Sequence, residues 1–314
     1  YSAGRKPEMT VIKCSGVRKN YADHAALRGV NFEVSRNSCV GFLGPNGAGK
    51  TTTIRILTGL ARPTAGQVEV AGIDVVKNPA GVRGFIGYLA QAPAFYNWMT
   101  GEEYLLFCGD IFKLPRRDAR NRAQELLEIT GLKGAARRKI GGYSGGMKQR
   151  LGIAQALINR PKVIFLDEPV SALDPIGRHE VLGMIRDLKQ QATVFFSTHV
   201  LNDADQICDE VIILNEGEVA LQAPVDEVRR SYALPEFEVE VDKFPEQLES
   251  ELRGQAWYQA HSLDGKRLTI SVKDLAAAKQ GLLPFLLAQG VVIDRYEVQT
   301  PNLEQVFMRV VSNR

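Results

Sequence analysis

The chain has 314 residues, of which 45% are hydrophobic and 24% charged, and its formal net charge is +3. These values are typical of a folded protein with room for one large α/β domain and a small second one. The charge is too small to indicate a nucleic-acid partner, and no uninterrupted apolar run approaches the roughly 18 residues that a membrane-spanning helix needs. The four cysteines are widely spaced and form no C-x-x-C pair, so we expect a reducing compartment and no zinc site.

Short apolar or alternating runs predict the strands of an α/β core. Alternation predicts antiparallel strands at Thr10–Cys14 and Val30–Val34, and the mostly apolar run Cys39–Leu43 predicts a buried strand. Further strand signals lie at Gln67–Ala71, Ile86–Leu89, Val163–Leu166, Thr193–Ser197, Val211–Leu214 and Glu218–Leu221. Because long helical stretches separate several of these runs, the central sheet should be parallel.

A complete phosphate-binding loop follows the strand at Cys39–Leu43. It consists of Gly44, Pro45, Asn46, Gly47, Ala48, Gly49, Lys50 and Thr51. The glycines let the backbone curl so that its N–H groups, together with the positive end of a helix predicted over Lys50–Leu60, face an anion. Lys50 would reach the β- and γ-phosphates and the Thr51 hydroxyl would bind Mg²⁺, so the chain is predicted to bind a nucleoside triphosphate.

The strand pattern stops between residues 100 and 160, where the sequence predicts a helical insertion. Thr100 and Glu103 form a capping-box pair that begins a helix running through Phe112. Pro115 is predicted in the first turn of a second helix that ends near Ile129. The charged face of this second helix could bind a partner, although a solvated face is the simpler interpretation.

Two further motifs carry groups suited to phosphate chemistry. Asp167 and Glu168 follow the apolar run Val163–Leu166, and at the carboxyl end of a strand both can turn toward a ligand crevice. Asp167 would hold Mg²⁺ through water, and Glu168 would act as base toward the attacking water. Upstream, Ser144 is predicted to cap a helix whose first N–H groups are left bare by two glycines, which makes a second anion site.

These motifs occur in the order found in ATP-binding cassette proteins. The ordered set is the phosphate loop, Gln91, the Ser144-Gly145-Gly146 signature, Leu166–Pro169, Ser171–Pro175 and His199. Residues 9–230 therefore resemble the nucleotide-binding subunit of an ABC transporter. The resemblance implies a P-loop NTPase core of α/β class with an antiparallel β subdomain and a helical subdomain at about 95–160.

The resemblance also implies a role for each matching residue. Tyr21 looks like the aromatic residue that stacks on adenine. The resemblance places Lys50, Thr51 and Thr52 around the phosphates and the metal. Gln91 would contact Mg²⁺ and sense the γ-phosphate. Glu168 looks like the general base, and His199 looks like the switch histidine that contacts the γ-phosphate.

A head-to-tail dimer of cassettes, either homodimer or heterodimer, follows from the same resemblance. Each ATP would lie between the phosphate loop of one subunit and the signature residues of the other, which are Ser144, Gly145, Gly146 and Gln149. Asp174 would lie in a loop at the dimer contact. The aromatic segment Phe95–Met99 would contribute to the groove for a coupling helix of the membrane subunit, and packing inside the helical subdomain is the alternative.

Strand and helix signals after Pro235 predict a separate small domain at 235–314. The order is β-α-β-β-α-β, typical of a ferredoxin-like α+β fold. Pro284 should kink or end the second helix of this domain, and a last amphipathic helix is predicted over Asn302–Val311. We place the domain boundary near Pro224–Pro235.

The leading interpretation is an ATPase subunit, with ATP and Mg²⁺, at the cytoplasmic face of the inner membrane. ATP-driven dimer closure would move integral membrane permease subunits on a separate chain, and the carboxyl-terminal tail resembles that of prokaryotic exporters. A soluble cassette ATPase of translation or DNA repair is the alternative class, although this chain has one cassette and no sustained heptads. A third interpretation gives the small domain a regulatory ligand.

Overall fold

The computed structural model describes residues 10–171, 173–231, 236–242, 248–299 and 307. The chain divides into two compact units, with the boundary between Val225 and Asp226. The strands before it are β1 (Thr10–Tyr21), β2 (His24–Ser35), β3 (Cys39–Leu43), β4 (Ala65–Val70), β5 (Ile73–Asp74), β6 (Ile86–Leu89), β7 (Val163–Asp167), β8 (Thr193–Thr198), β9 (Glu210–Asn215) and β10 (Glu218–Pro224). The helices are α1 (Lys50–Leu57), α2 (Pro79–Arg83), α3 (Gly101–Ile111), α4 (Arg116–Ile129), α5 (Gly145–Ala156), α6 (Pro175–Leu188), α7 (Leu201–Ile207) and, at the boundary, α8 (Val225–Ser231).

The central sheet has the strand order β10-β9-β3-β8-β7-β6. Neighbours from β9 to β6 pair in parallel, and β10 is an antiparallel edge strand, so the prediction of a parallel core is confirmed. Every residue of β3, β7 and β8 is buried, which explains why these segments are mostly apolar. The parallel arrangement brings the carboxyl ends of β3, β6, β7 and β8 to one edge of the sheet.

A second sheet, β2-β1-β4-β5, is antiparallel and precedes and follows the phosphate loop along the chain. Its buried side packs against the central sheet through aromatic side chains. Phe32 of β2 lies 5.9 Å, centroid to centroid, from both Phe42 and Phe195 of the central sheet. Phe165 adds an edge-on contact with Phe195 at 5.7 Å. The two sheets thus pack against each other through these rings.

The helical insertion agrees with its predicted boundaries in most respects. Thr100 caps α3, and the reciprocal bonds with Glu103 complete the capping box. Pro115 differs from the prediction because it lies at the cap position before α4, with ψ 138°, rather than in the first turn. An extended ψ at this residue sets the angle at which α4 leaves the preceding turn.

Helix α1 ends at Leu57, three residues before the predicted end. Gly59 has φ 70°, and the amide of Leu60 donates to the carbonyl of Arg55 at 2.8 Å. This pattern is a Schellman motif, in which a glycine in the left-handed conformation ends the helix. Leu60 is therefore exposed beyond the helix rather than part of its apolar face.

The second unit contains β11 (Glu236–Val241), α9 (Leu248–Arg253), β12 (Tyr258–Asp264), β13 (Arg267–Val272), α10 (Leu275–Ala288) and β14 (Ile293–Gln299). Its antiparallel sheet has the order β12-β13-β11-β14, which confirms the ferredoxin-like prediction. Helix α10 continues past Pro284 to Ala288, so the proline does not end it. Of the predicted last helix only Phe307 is described, and the rest lies outside the described residues.

Among the described residues, no helix has both the length and the apolar character that crossing a bilayer requires.

Candidate nucleotide-binding site

The loop between β3 and α1 is shaped by glycines that no larger residue could replace. A Cβ on Gly49, which has φ 107°, would lie 2.7 Å from Leu27 Cδ2 and 2.8 Å from the Ala26 carbonyl oxygen. A Cβ on Gly44 would lie 2.3 Å from the Leu214 carbonyl oxygen. Close approach by neighbouring backbone therefore fixes the path of the loop into α1, and a loop of this kind is suited to holding an anion with its N–H groups.

Lys50 is nearly buried at the start of α1. Its Nζ donates to the carbonyl oxygens of Gly44 at 2.8 Å and Pro45 at 3.1 Å. Burial lowers the pKa of Lys50, and the negative charges of Glu168 and Asp167 partly offset that shift. The ammonium group thus lies at the phosphate loop with acidic groups beside it.

Asp167, the last residue of β7, is fixed by hydroxyl groups from both sides. Ser197 Oγ donates to Asp167 Oδ1 at 2.7 Å, and Thr51 Oγ1 donates to the same oxygen at 3.3 Å. Ser197 was not predicted as a site residue. The feature that could have identified Ser197 is the parallel register of β7 and β8, which places it directly beside Asp167.

Three groups from separate elements converge on the carboxylate of Glu168. Gln91 Nε2 donates to Oε2 at 3.2 Å, His199 Nδ1 lies 3.2 Å from Oε1, and Lys50 Nζ lies 3.9 Å from Oε1. The backbone of Glu168 has φ 48°, which is left-handed and rare for residues with a Cβ. This conformation turns Glu168 out of the strand at the edge where the phosphate loop lies.

An open cavity of about 490 Å³ joins these groups. It is lined by Tyr21, His24, Ala26, Asn46, Gly47, Gly49, Lys50, Thr51, Thr52, Gln91, Glu168 and His199. Tyr21 is 44% exposed, and Lys19 Nζ lies 4.7 Å from its ring centroid. His24 and Ala26 were not predicted; they face the cavity because β1 and β2 pair Tyr21 with His24 at the hairpin turn.

The signature residues do not line this cavity. Ser144 caps α5, as predicted, and its Oγ accepts from the Met147 amide at 3.2 Å. A Cβ on Gly145 would meet no atom within 4 Å, so this helix end is open. Asp174 also lies elsewhere, as the cap of α6, where its Oδ1 accepts from the Gly177 amide at 2.8 Å. The predicted set therefore separates into a phosphate-loop group and a signature group.

Groups of three or more His, Cys, Asp or Glu side chains that could hold a metal do not occur in the part of the chain that the structure describes. The Thr51 hydroxyl and the Asp167 carboxylate at 3.3 Å nonetheless fit Mg²⁺ at a nucleotide site, since Mg²⁺ takes few protein oxygens there and keeps waters and phosphate oxygens.

Comparison with known proteins identifies both units. The family model described as "ABC transporter" matches residues 27–171, and the model described as "ATP-binding protein DrrA1-3-like, C-terminal domain" matches residues 224–311. The chain is 44% identical over 302 residues to the ABC transporter ATP-binding protein YxlF of Bacillus subtilis, covering 96% of this chain and 99% of YxlF. It is 35% identical over 305 residues to the daunorubicin resistance ATP-binding protein DrrA3 of Streptomyces coeruleorubidus, covering 97% of this chain and 96% of DrrA3.

A solved structure of similar fold is a dimeric ATP-binding cassette in a post-hydrolysis state, bound to ADP and Pi. It has a TM-score of 0.62 and 30% sequence identity, and the match covers 68% of this chain and 98% of that chain. Together with the motifs and the full-length relatives, this match makes the chain a member of the ABC transporter family and one of its ATP-binding, ATP-hydrolysing subunits.

Proposed function

We propose that this subunit hydrolyses ATP at sites shared between two cassettes and that dimer closure drives separate permease subunits in the membrane. The observation that carries the proposal is the convergence of Gln91, His199 and Lys50 on the Glu168 carboxylate beside the phosphate loop. Cation, amide and imidazole groups from three elements around one carboxylate are suited to orienting water and to sensing a terminal phosphate.

Each group then has a distinct part in hydrolysis. Glu168 accepts a proton from the attacking water. The His199 imidazole, whose Nδ1 lies beside the Glu168 carboxylate, contacts the γ-phosphate. Lys50 leaves the carbonyl groups of its own loop to contact the β- and γ-phosphates. Thr51, Asp167 and Gln91 would hold Mg²⁺, which neutralises charge on the phosphate oxygens when bound.

The second half of each site comes from another cassette. The amino end of α5, with Ser144, Gly145 and Gly146, is open and has N–H groups that can bind an anion. It does not line the nucleotide cavity of its own chain, so the anion would be a phosphate bound at the phosphate loop of another chain. A second copy of this chain, placed head to tail, brings that helix end to the nucleotide. The related cassette with ADP and Pi, which is a dimer, supports this arrangement.

An apolar surface of the helical insertion is proposed to contact the permease. Trp98 is 69% exposed and lies 6.0 Å from the ring of Tyr96, which packs edge-on against Phe107 at 5.7 Å. A cavity of about 280 Å³ is lined in part by Cys108 and Ile111 of α3, the helix that also carries Phe107. Exposed aromatic side chains next to a cavity are typical of a protein interface. The subunit would then lie at the cytoplasmic face of the membrane.

Export is the direction that we propose. Two observations support it: the match to DrrA3, whose name records daunorubicin resistance, extends along 96% of that protein, and the DrrA1-3-like family model covers the second unit. The transported compound would contact the permease and not this chain.

A Glu168→Gln variant tests the proposed base. The amide keeps the shape and hydrogen bonds of the carboxylate but accepts a proton poorly, so ATP binding should persist while turnover falls at least a hundredfold. ATP should then accumulate a stable dimer, which size-exclusion chromatography detects. Glu102→Gln, a change at a half-buried residue of α3 that does not line the nucleotide cavity, is the matched control and should keep wild-type turnover. Near wild-type hydrolysis by Glu168→Gln would remove Glu168 from the role of base.

A further inference from the structure

The turn between α3 and α4 carries a group of exposed cations that the proposed reaction does not use. We call Lys113, Arg116, Arg117 and Arg120 the basic corner, and all four are exposed. The three arginines lie within about 100° of the circumference of α4, since each residue turns the helix by about 100°. Asp118 lies about 100° beyond this arc by the same count. The cations therefore share one face.

No ion pair or side-chain hydrogen bond holds these four cations within the part of the chain that the structure describes. Other exposed cations of the insertion do form ion pairs, as Lys133 does with Glu128 at 2.9 Å and Arg160 with Glu125 at 4.0 Å. Residues 95–160 contain twelve Lys and Arg against six Asp and Glu, a net charge of +6, whereas the whole chain carries +3. Positive charge is thus concentrated in the insertion.

Apolar side chains adjoin the basic corner. Ile111 is 62% exposed and Phe112 is 39% exposed, and both also line the 280 Å³ cavity beside the proposed permease contact. Long cationic side chains next to an exposed phenylalanine and isoleucine match the boundary between headgroups and acyl chains of a lipid bilayer. The absence of fixed hydrogen-bond geometry among the described contacts of the cations favours mobile headgroups over a peptide that needs a fixed register.

We propose that the basic corner binds anionic lipid headgroups at the membrane surface, with Ile111 and Phe112 entering the headgroup region. The partner is a lipid surface of negative charge rather than a specific protein segment. This inference rests on the proposed function only in that the subunit works beside a membrane. Such contact would orient the helical insertion, and with it the permease contact, toward the bilayer.

Vesicle co-sedimentation tests the proposal with the full chain. Wild-type protein should bind phosphatidylcholine vesicles that contain phosphatidylglycerol and should bind pure phosphatidylcholine vesicles much less. The variant K113Q/R116Q/R117Q/R120Q should bind the anionic vesicles at least tenfold more weakly, because each cation near a charged surface contributes separately. Added NaCl should weaken wild-type binding as the charges are screened.

A matched control removes the same charge elsewhere on the insertion. Lys133, Arg137, Arg138 and Lys139 are also exposed, and K133Q/R137Q/R138Q/K139Q should keep near wild-type binding. Equal loss in both variants, or no wild-type binding to anionic vesicles, would overturn the proposal. If the basic corner is needed only for retention by the assembled permease, its partner is an acidic protein segment and the lipid assignment is wrong.

ATP-dependent dimerisation of the basic-corner variant provides a separate readout. It should equal that of wild type, since none of the four cations lines the nucleotide cavity. With Glu168→Gln added to both proteins to slow turnover, a failure to dimerise with ATP even without the basic-corner changes would count against the proposed function, whereas a failure of vesicle binding alone would count only against the lipid contact.

Discussion

Glu168 shows at the scale of one residue how the fold supports the site. It leaves β7 with φ 48°, and its amide donates to Ser197 Oγ at 3.0 Å, the same hydroxyl that bonds Asp167. A residue with a Cβ held in the left-handed conformation is destabilised by about 1 kcal/mol relative to glycine. The fold thus keeps a strained backbone at the carboxylate that is proposed as the base.

Replacing Glu168 by Gly and by Ala separates this strain from chemistry. Both variants should lose turnover, because both lack the carboxylate. Glu168→Gly should unfold at a temperature about 2–4 °C above that of Glu168→Ala, which corresponds to about 1 kcal/mol at this size. Differential scanning calorimetry makes the comparison, and equal melting temperatures would show that the backbone at this position is not strained.

Sequence alone predicts the residues whose type is tied to phosphate chemistry and misses those placed by geometry. The phosphate loop, Gln91, Glu168 and His199 all reach one cavity, as their motif order indicates. Ser197 and His24 escape prediction because a serine in a strand and a histidine in a turn have no distinctive local pattern. Only the parallel register and the hairpin turn bring them to the site.

At the scale of elements, an ion pair joins α6, which Asp174 caps, to α7, which begins two residues after His199. Arg178 of α6 donates to both oxygens of Asp203 of α7, at 2.8 and 2.7 Å. Asp203 is 2% exposed, and Thr198 Oγ1, next to His199, donates to it at 3.4 Å. The pair therefore fixes the turn that carries His199 relative to α6.

Arg178→Ala should destabilise the protein by about 3 kcal/mol, because it leaves the buried Asp203 carboxylate without its partner. Arg178→Ala combined with Asp203→Ala should cost less than the sum of the two single changes. Thermal unfolding measures all three variants. Arg186→Ala is the control from the same helix, since Arg186 and Asp187 are both exposed, and it should change stability by less than about 0.5 kcal/mol. Additive single effects would contradict a direct pair.

The aromatic segment before α3 divides into packed and exposed side chains. Phe95 contacts Tyr104 edge-on at 5.2 Å and Met99 is buried, whereas Trp98 is exposed. Trp98→Ala should therefore leave the melting temperature almost unchanged and weaken permease-stimulated ATPase activity. Phe95→Ala should instead destabilise the fold by about 2 kcal/mol. A loss of stability in Trp98→Ala as large as in Phe95→Ala would place Trp98 in the core.

Element boundaries follow from the sequence where one local rule decides them. The Thr100 and Glu103 capping box predicts the start of α3 correctly, since both partners lie within one turn. The predicted first strand ended at Cys14, but β1 continues to Tyr21, because irregular pairing between Cys14 and Val17 interrupts the alternation. Such bulges depend on the partner strand and leave no period in the sequence.

At the scale of the whole molecule, the two units match the same class of protein. Full-length similarity to an ABC transporter ATP-binding protein excludes the alternative of a cassette for translation or DNA repair. The ferredoxin-like fold of the second unit was readable from the order of its strands and helices. A ligand for this unit stays a prediction, because the fold alone carries no binding chemistry.

In the proposed dimer, one ATP contacts Lys50 of one copy and Ser144 of another. Lys50→Ala removes the phosphate cation, and Ser144→Arg fills the open end of α5, so each variant alone should fail to dimerise with ATP. A mixed dimer collects both defects in one site and leaves the other site intact.

The decisive measurement is ATP-dependent dimer formation across mixing ratios of these two variants, each also carrying Glu168→Gln to slow turnover. Glu168→Gln alone serves as the positive control and should dimerise fully. Dimer should appear only on mixing and should peak near equal amounts of the two variants. A flat, baseline response at every ratio would contradict the shared site.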